Sequence, residues 1–182
     1  MKYLKQNLPA DTVKYLVGLF LVTAFRFIPR PPNFQPLLAT TMPFAKHSGI
    51  SGGVLFALLA VLVFDFSTGL VGLWTLVTLS TYSLIALFAA LYFKNRPSSV
   101  KHYLIFSVFA TLFFDFVTGP LAGSLLFKQP FWVSFTGQIP FTIYHLVGNI
   151  TLGCLLSPLV YRWVANNPEL RSERVLALAT TD

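Results

Sequence analysis

Long apolar runs, broken by short polar or proline-containing stretches, fill most of this chain. A membrane-crossing helix needs about 20 apolar residues, with a usable range of about 17–25. Five segments meet or approach that length: roughly 14–29, 50–66, 72–93, 103–119 and 139–164. A sixth, 35–47 (QPLLATTMPFAKH), is shorter; at 1.5 Å per residue it reaches about 20 Å. The expected fold is therefore an all-α integral membrane protein. It is a six-helix bundle with one short second helix, forming a single membrane domain over residues 1–182 with a tail at 165–182.

Composition removes the soluble alternative. Of 182 residues, 55% are hydrophobic and only 10% are charged, against about 25% charged in an ordinary soluble domain. A soluble fold of this size cannot hide 19 phenylalanines along with the rest of its apolar surface. Cys154 is the one cysteine, so neither an intrachain disulfide nor a cysteine zinc site is expected. The N-terminal run Tyr15–Phe25 follows Lys2, Lys5 and Lys14 as a signal peptide would. It ends in FRFIPRPP rather than in small residues, which predicts an uncleaved first helix.

Charge orients the bundle. Six crossings with both termini cytoplasmic place Lys2, Lys5, Lys14, Lys46, Lys94, Arg96, Lys101, Arg162, Arg171 and Arg174 inside. Only Arg26, Arg30 and Lys128 then lie outside. Ten basic residues against three follow the positive-inside rule, and the short second crossing is needed for that separation. The net charge of +7 becomes a cytoplasmic collar in a plasma membrane, and no nucleic-acid partner is required.

Two helices share a pattern. VLFALLAVLVFDFSTG (54–69) aligns with LIFSVFATLFFDFVTG (104–119), fifty positions on, and the last six residues match at five places. Both copies run in the same direction, as parallel repeats do. Asp65 and Asp115 are the two acids of the membrane portion, each expected at the outer end of its helix. An ionisable residue at that depth is costly and usually has a task. Two tasks stay open: capping the following turn, or contacting a ligand.

Gln138, Thr142, His145 and Asn149 follow at spacings of 4, 3 and 4. On a helix they fall within roughly 60° of one another, a stripe about 16 Å long. It lines a ligand pocket or bonds a neighbouring helix. Thr75, Thr78 and Tyr82 make a weaker polar side on the fourth span. In RFIPRPPNFQP (26–36), prolines 29, 31 and 32 stop the first helix and leave a stiff outer loop. Arg30, Asn33 and Gln35 in that loop either offer donors to a ligand or form an ordinary turn with snorkelling arginines. No phosphate loop, nucleophile elbow or paired-histidine motif occurs. The spacing of Asp65, Asp115 and His145 does not favour a metal, and no enzyme activity or cofactor is expected.

PNFQPLLATTMPFA after a first helix, the helix ends FDFSTG and FDFVTG, and the closing IPFTIYHLVGNITLGCLLSPLVY resemble the S components of energy-coupling factor (ECF) transporters. The closest likeness is to a branch with a Pro-Asn-Phe-x-Pro start to helix two, over about residues 12–165. The resemblance implies a prokaryotic membrane subunit that captures a vitamin or related small molecule outside the cell. It then docks on a membrane T component driven by two cytoplasmic ATPase subunits. The site residues expected on this reading are Arg30, Asn33, Gln35, Asp65, Asp115, Gln138, Thr142, His145 and Asn149. The chain departs from the family's Ala-x-x-x-Ala docking pattern on helix one, where it has only Gly18 and Ala24. Two other classes remain open: a scaffold resembling the cell-shape factor MreD, and a stand-alone ion-coupled carrier using Asp65 and Asp115.

Overall fold

The structure, a computed structural model, describes residues 9–179. Lys2 and Lys5, expected on the cytoplasmic side, lie outside these residues, as do the last three positions of the expected tail. Everything in them beyond turns and loops is helical: α1 (Thr12–Phe27), α2 (Leu37–Thr68), α3 (Leu73–Phe93), α4 (Val100–Phe116), α5 (Ala122–Phe127), α6 (Phe131–Val160) and α7 (Ser172–Leu178). A π turn, Val117–Leu121, joins α4 to α5, and a second, Tyr161–Ala165, extends α6. Among the described residues, four helical stretches are long and apolar enough to cross a membrane: Leu37–Thr68, Leu73–Phe93, Val100–Phe127 and Phe131–Ala165.

The first of these stretches is not straight. Gly49 sits at φ 67°, ψ −160°, a conformation open to glycine and closed to residues with a β-carbon. In an unbroken helix Phe44 and Phe56 would stand about 18 Å apart. Their rings instead stack at 3.9 Å, and a β-carbon on Gly53 would lie 2.7 Å from the Ala45 Cα. The two arms of α2 therefore fold back on each other at Gly49. Tyr15 of α1 packs edge-on against both rings, at 5.1 and 6.0 Å. Gly18 of α1 presses on the same two rings, so it faces the bundle interior.

Pro43 in the first arm has no N–H to give the Ala39 carbonyl, the acceptor four residues back. Ser157 of α6 supplies the missing donor: its Oγ bonds Ala39 O at 2.8 Å. The helix-breaking residue thus ties the short arm to α6.

The chain's described ends meet. Ser172 N donates to Ala10 O at 2.9 Å, and Ser172 Oγ donates to Pro9 O at 2.8 Å. At this same end Asp11 pairs with Lys14 (2.8 Å) and with His47 (3.1 Å). Lys46 reaches the carbonyls of Phe93 and Arg96 and lies over the Tyr161 ring. Burial pushes the Asp11 carboxyl up, but Lys14 and His47 outweigh it and hold it below its ordinary value of 3.8. Lys14, expected in a solvated collar, is buried at 3% exposure in this cluster. Its charge is tolerated there because a partner carboxylate is at hand.

The two sequence repeats end differently. After FDFSTG, Gly69 takes the left-handed conformation (φ 69°) and closes the helix, as glycine after a helix end commonly does. After FDFVTG the chain stays helical through the π turn to Phe127. Pro120 there lacks an N–H, so the tight α-ladder gives way to wider turns without ending. Asp115 consequently lies at the end of α4, as expected, but is followed by further helical turns and not by a loop. The last span also starts earlier than expected, at Phe131 instead of residue 139.

Candidate functional site

The centre of the molecule is a polar ladder between α4 and α6. His145 Nδ1 and Asp115 Oδ1 are 2.7 Å apart, with the two side chains 6% and 2% exposed. Four residues along each helix, in opposite directions, Asn149 Nδ2 donates to Thr111 Oγ1 at 2.9 Å. Thr111 Oγ1 in turn donates to Ser107 O at 2.7 Å. Four further on, Ser107 lies against Gly153, where a β-carbon would collide with its hydroxyl. The expected stripe on α6 is present, and in its lower half it faces a second stripe: Ser107, Thr111 and Asp115, each four residues from the next. That spacing is visible in the sequence, within the repeat, but it draws attention only once the facing helix is known.

His145 is clasped by Phe114 and Phe141, both edge-on, at 5.6 and 5.5 Å between ring centres. Tyr82 packs on the other side of Phe114 at 5.2 Å. The ladder is not fully satisfied. Among the described residues, no donor reaches Asp115 Oδ2, and Asn149 Oδ1 and Ser107 Oγ are likewise buried without partners. Native interiors rarely leave such atoms unpaired, so each asks for an explanation.

Gln138, higher on the stripe, stands free of the ladder. It borders a cleft of about 300 Å³ lined by Trp74, Thr78, Phe114, Thr118 and Phe141. A second cavity of about 280 Å³ shares Trp74, Thr118 and Gln138 with it and continues toward Gly123 and Gln129. Both lie at the end opposite the meeting point of Ala10 and Ser172. Thr142 turns to the outer flank of the bundle, where Gln138 and Asp115 also border a groove between α4 and α6.

Asp65 holds its loop together. Thr75 Oγ1 donates to Asp65 Oδ2 at 2.6 Å, and Gly72 N donates to Thr75 Oγ1 at 3.1 Å. The carboxylate thereby braces the first turn of α3 across the tight Gly69–Gly72 connection. The Arg26 guanidinium carbon lies over Phe64, 3.4 Å from the ring centre, beside the same helix end.

Arg30, Asn33 and Gln35 gather around a separate cavity of about 360 Å³ within the proline loop. Arg30 Nη1 donates to the carbonyls of Arg26 and Ile28, inside its own loop. Asn33 takes φ 66°, a left-handed conformation that asparagine tolerates better than most residues. Its backbone carbonyl rests on α6 where Gly148 leaves room: a β-carbon there would be 2.6 Å from Asn33 O. Its side chain donates to Phe141 O at 3.5 Å. The loop is thus seated on α6 just outside the cleft.

The nine residues expected at the site therefore fall into three places. Asp115, Gln138, Thr142, His145 and Asn149 share the α4–α6 seam. Arg30, Asn33 and Gln35 share the proline loop, and Asp65 stays with α3. Trp74, Thr78 and Thr118 join Gln138 at the cleft; Thr78 belongs to the weaker polar side expected on its span, whereas Thr118 was read as part of a helix end. Among the described residues no three or more His, Cys, Asp or Glu side chains gather to hold a metal ion. Comparison of the chain with models of protein families, with curated proteins and with solved structures gives no match.

Proposed function

We propose that this chain is the substrate-capturing S component of an ECF-type importer for a vitamin or related small molecule. It would work in a prokaryotic plasma membrane, with both termini cytoplasmic, beside a T component and two ATPase subunits. The observation that carries this reading is the cleft at Gln138. Aromatic faces from Trp74, Phe114 and Phe141 and the polar groups of Thr78, Thr118 and Gln138 converge there. An apolar pocket with a few placed polar groups is the usual make-up of a small-molecule site. Its position also supports the reading. The described basic residues other than Arg26, Arg30 and Lys128 belong to segments at the opposite end, which positive-inside orientation assigns to the cytoplasm. The cleft would then open outward, where an S component meets its cargo.

The His145–Asp115 pair favours a second reading, an ion-coupled carrier, because buried ionisable pairs in membranes often move protons. Binding separates pocket from ladder. A thermal-shift screen of the purified protein against vitamins and related small molecules is expected to find a stabilising ligand. Gln138→Leu should then weaken its binding by roughly 5- to 150-fold, the effect of leaving one polar partner unpaired. Asn149→Leu should lower the melting temperature and leave affinity within about twofold, because Asn149 bonds Thr111 and not the cleft. Equal affinity in wild type and Gln138→Leu would place the cargo elsewhere.

A further inference from the structure

The groove on the outer flank of the α4–α6 seam has an unusual floor. Its volume is about 420 Å³, within the range of about 300–1,000 Å³ common for small-molecule sites. Leu112, Phe116, Ile139 and Ile143 form its rim, each between 47% and 57% exposed. In a chain that crosses a membrane these side chains face lipid tails. Asp115 lies at the bottom with Thr142 and Gln138 beside it. Its side chain is 2% exposed, and Oδ1 is engaged by His145. Oδ2 receives no donor from any described residue.

We infer that this groove binds a bilayer-borne amphiphile whose head carries one O–H or N–H donor, received by Asp115 Oδ2. Shape and chemistry agree on this occupant. The rim is apolar and open to the side, so a hydrocarbon body can enter from the bilayer without crossing water. Among the described residues at the floor Asp115 brings the one carboxyl group, which calls for a donor and disfavours a phosphate or carboxylate head. In the tautomer whose His145 Nδ1–H donates to Oδ1 across the 2.7 Å separation, Oδ2 keeps its lone pairs for the ligand. An unpaired carboxylate oxygen at this depth is costly, and the head group relieves that cost. The site does not depend on the S-component reading. It borders the outer cleft only at Gln138 and faces lipid, not the outer solution.

The test uses the full chain in phosphatidylcholine nanodiscs with dodecylamine carrying a photoreactive diazirine on its chain. Crosslinks are mapped by peptide mass spectrometry. Competitors are dodecylamine, dodecanol and dodecyl methyl ether, which shares the chain but has no donor. Crosslinks are expected to concentrate on Leu112, Phe116 and Ile139. Dodecanol or dodecylamine should compete at about tenfold lower concentration than the ether. Whichever of the two competes better tells a neutral from a cationic head. Asp115→Asn keeps an oxygen for His145 but can turn the second position into a donor, so it should erase the advantage over the ether. Ile139→Trp fills the groove without touching Asp115 and should abolish the crosslinks. If Asp115→Asn fails to elute as a folded monodisperse species, Ile139→Trp decides. The proposal is overturned if the ether competes as well as the alcohol and the amine. Labelling spread evenly over the lipid-facing helices, or undiminished in Ile139→Trp, overturns it too.

Discussion

His145→Leu is expected to destabilise the protein by about 3–5 kcal/mol, and adding Asp115→Leu to recover most of that loss. Removing one partner of a buried, hydrogen-bonded pair leaves the polar group of the other unsatisfied, at a cost of about 3–5 kcal/mol where that group is a carboxylate, whereas replacing both by apolar groups is often neutral or stabilising. Here the geometry makes the asymmetry sharp. The carboxyl group is 2% exposed, and among the described residues His145 is the one side chain bonded to it and no donor reaches its other oxygen. In His145→Leu the carboxylate would have to take a proton or draw in water. Leucine at both positions would leave two apolar side chains facing each other between Phe114 and Phe141, where rings already pack. Reversible unfolding in mixed micelles, run on the two single variants and the double variant, gives the comparison. A double variant as unstable as the sum of the singles would mean that the pair is not a mutual dependence. A silent His145→Leu would contradict the pairing itself.

Gly53→Leu is expected to cost more than the roughly 1–3 kcal/mol of an ordinary overpacked position. A β-carbon at 53 would sit 2.7 Å from both the Cα and the Cβ of Ala45. The obstacle is backbone, not the end of a flexible side chain, so the arms of α2 must separate. Separation would pull apart Phe44 and Phe56 and the Tyr15 ring set against them. Gly137 offers the control. It is helical, and a β-carbon there meets nothing within 4 Å. Gly137→Ala should therefore be neutral or stabilising by about 0.4–1 kcal/mol through the unfolded chain. Melting temperatures and folded yields of the two variants in one detergent measure the difference. Equal behaviour would remove the close approach on which the α2 fold-back rests.

Much of this architecture is legible in the sequence because the apolar runs leave few choices. A thirteen-residue stretch ending at His47 and a fresh apolar run from Ile50 predict two short arms, and Gly49 supplies the only backbone able to turn between them. Charge adds what hydropathy lacks. The expectation of an even crossing count rests on Lys46 and the Lys94–Lys101 cluster; in the structure Ser172 rests on Ala10, so the described ends lie together. Local reading fails where a tertiary contact overrides it. FDFSTG and FDFVTG look alike, yet Asp65 is answered by Thr75 ten residues on and Asp115 by His145 thirty residues on. Nothing within either six-residue block separates these outcomes; the difference lies in Pro120 and in which helix packs opposite. The start of α6 was hidden for a similar reason. The expected span begins at residue 139, but in the structure the helix begins at Phe131 and carries Pro140 inside it. The polar stripe on α6 was legible from its 4-3-4 spacing. Its division into ladder and cleft was not, since Asn149 and His145 are spoken for by α4 and Gln138 is not.

The central proposal is that this chain captures a solute and relies on partners for energy. It is tested most directly by purifying the tagged protein from the membranes of its own host and assaying the preparation for ATP hydrolysis and uptake. The proposal predicts that a T component and two ATPase subunits come with it, and that proteoliposomes of the complex accumulate solute only with ATP. It also predicts that proteoliposomes of the chain alone bind the solute without concentrating it. Concentrative uptake by the chain alone, driven by an ion gradient, would contradict the proposal and make the buried His145–Asp115 pair the working part.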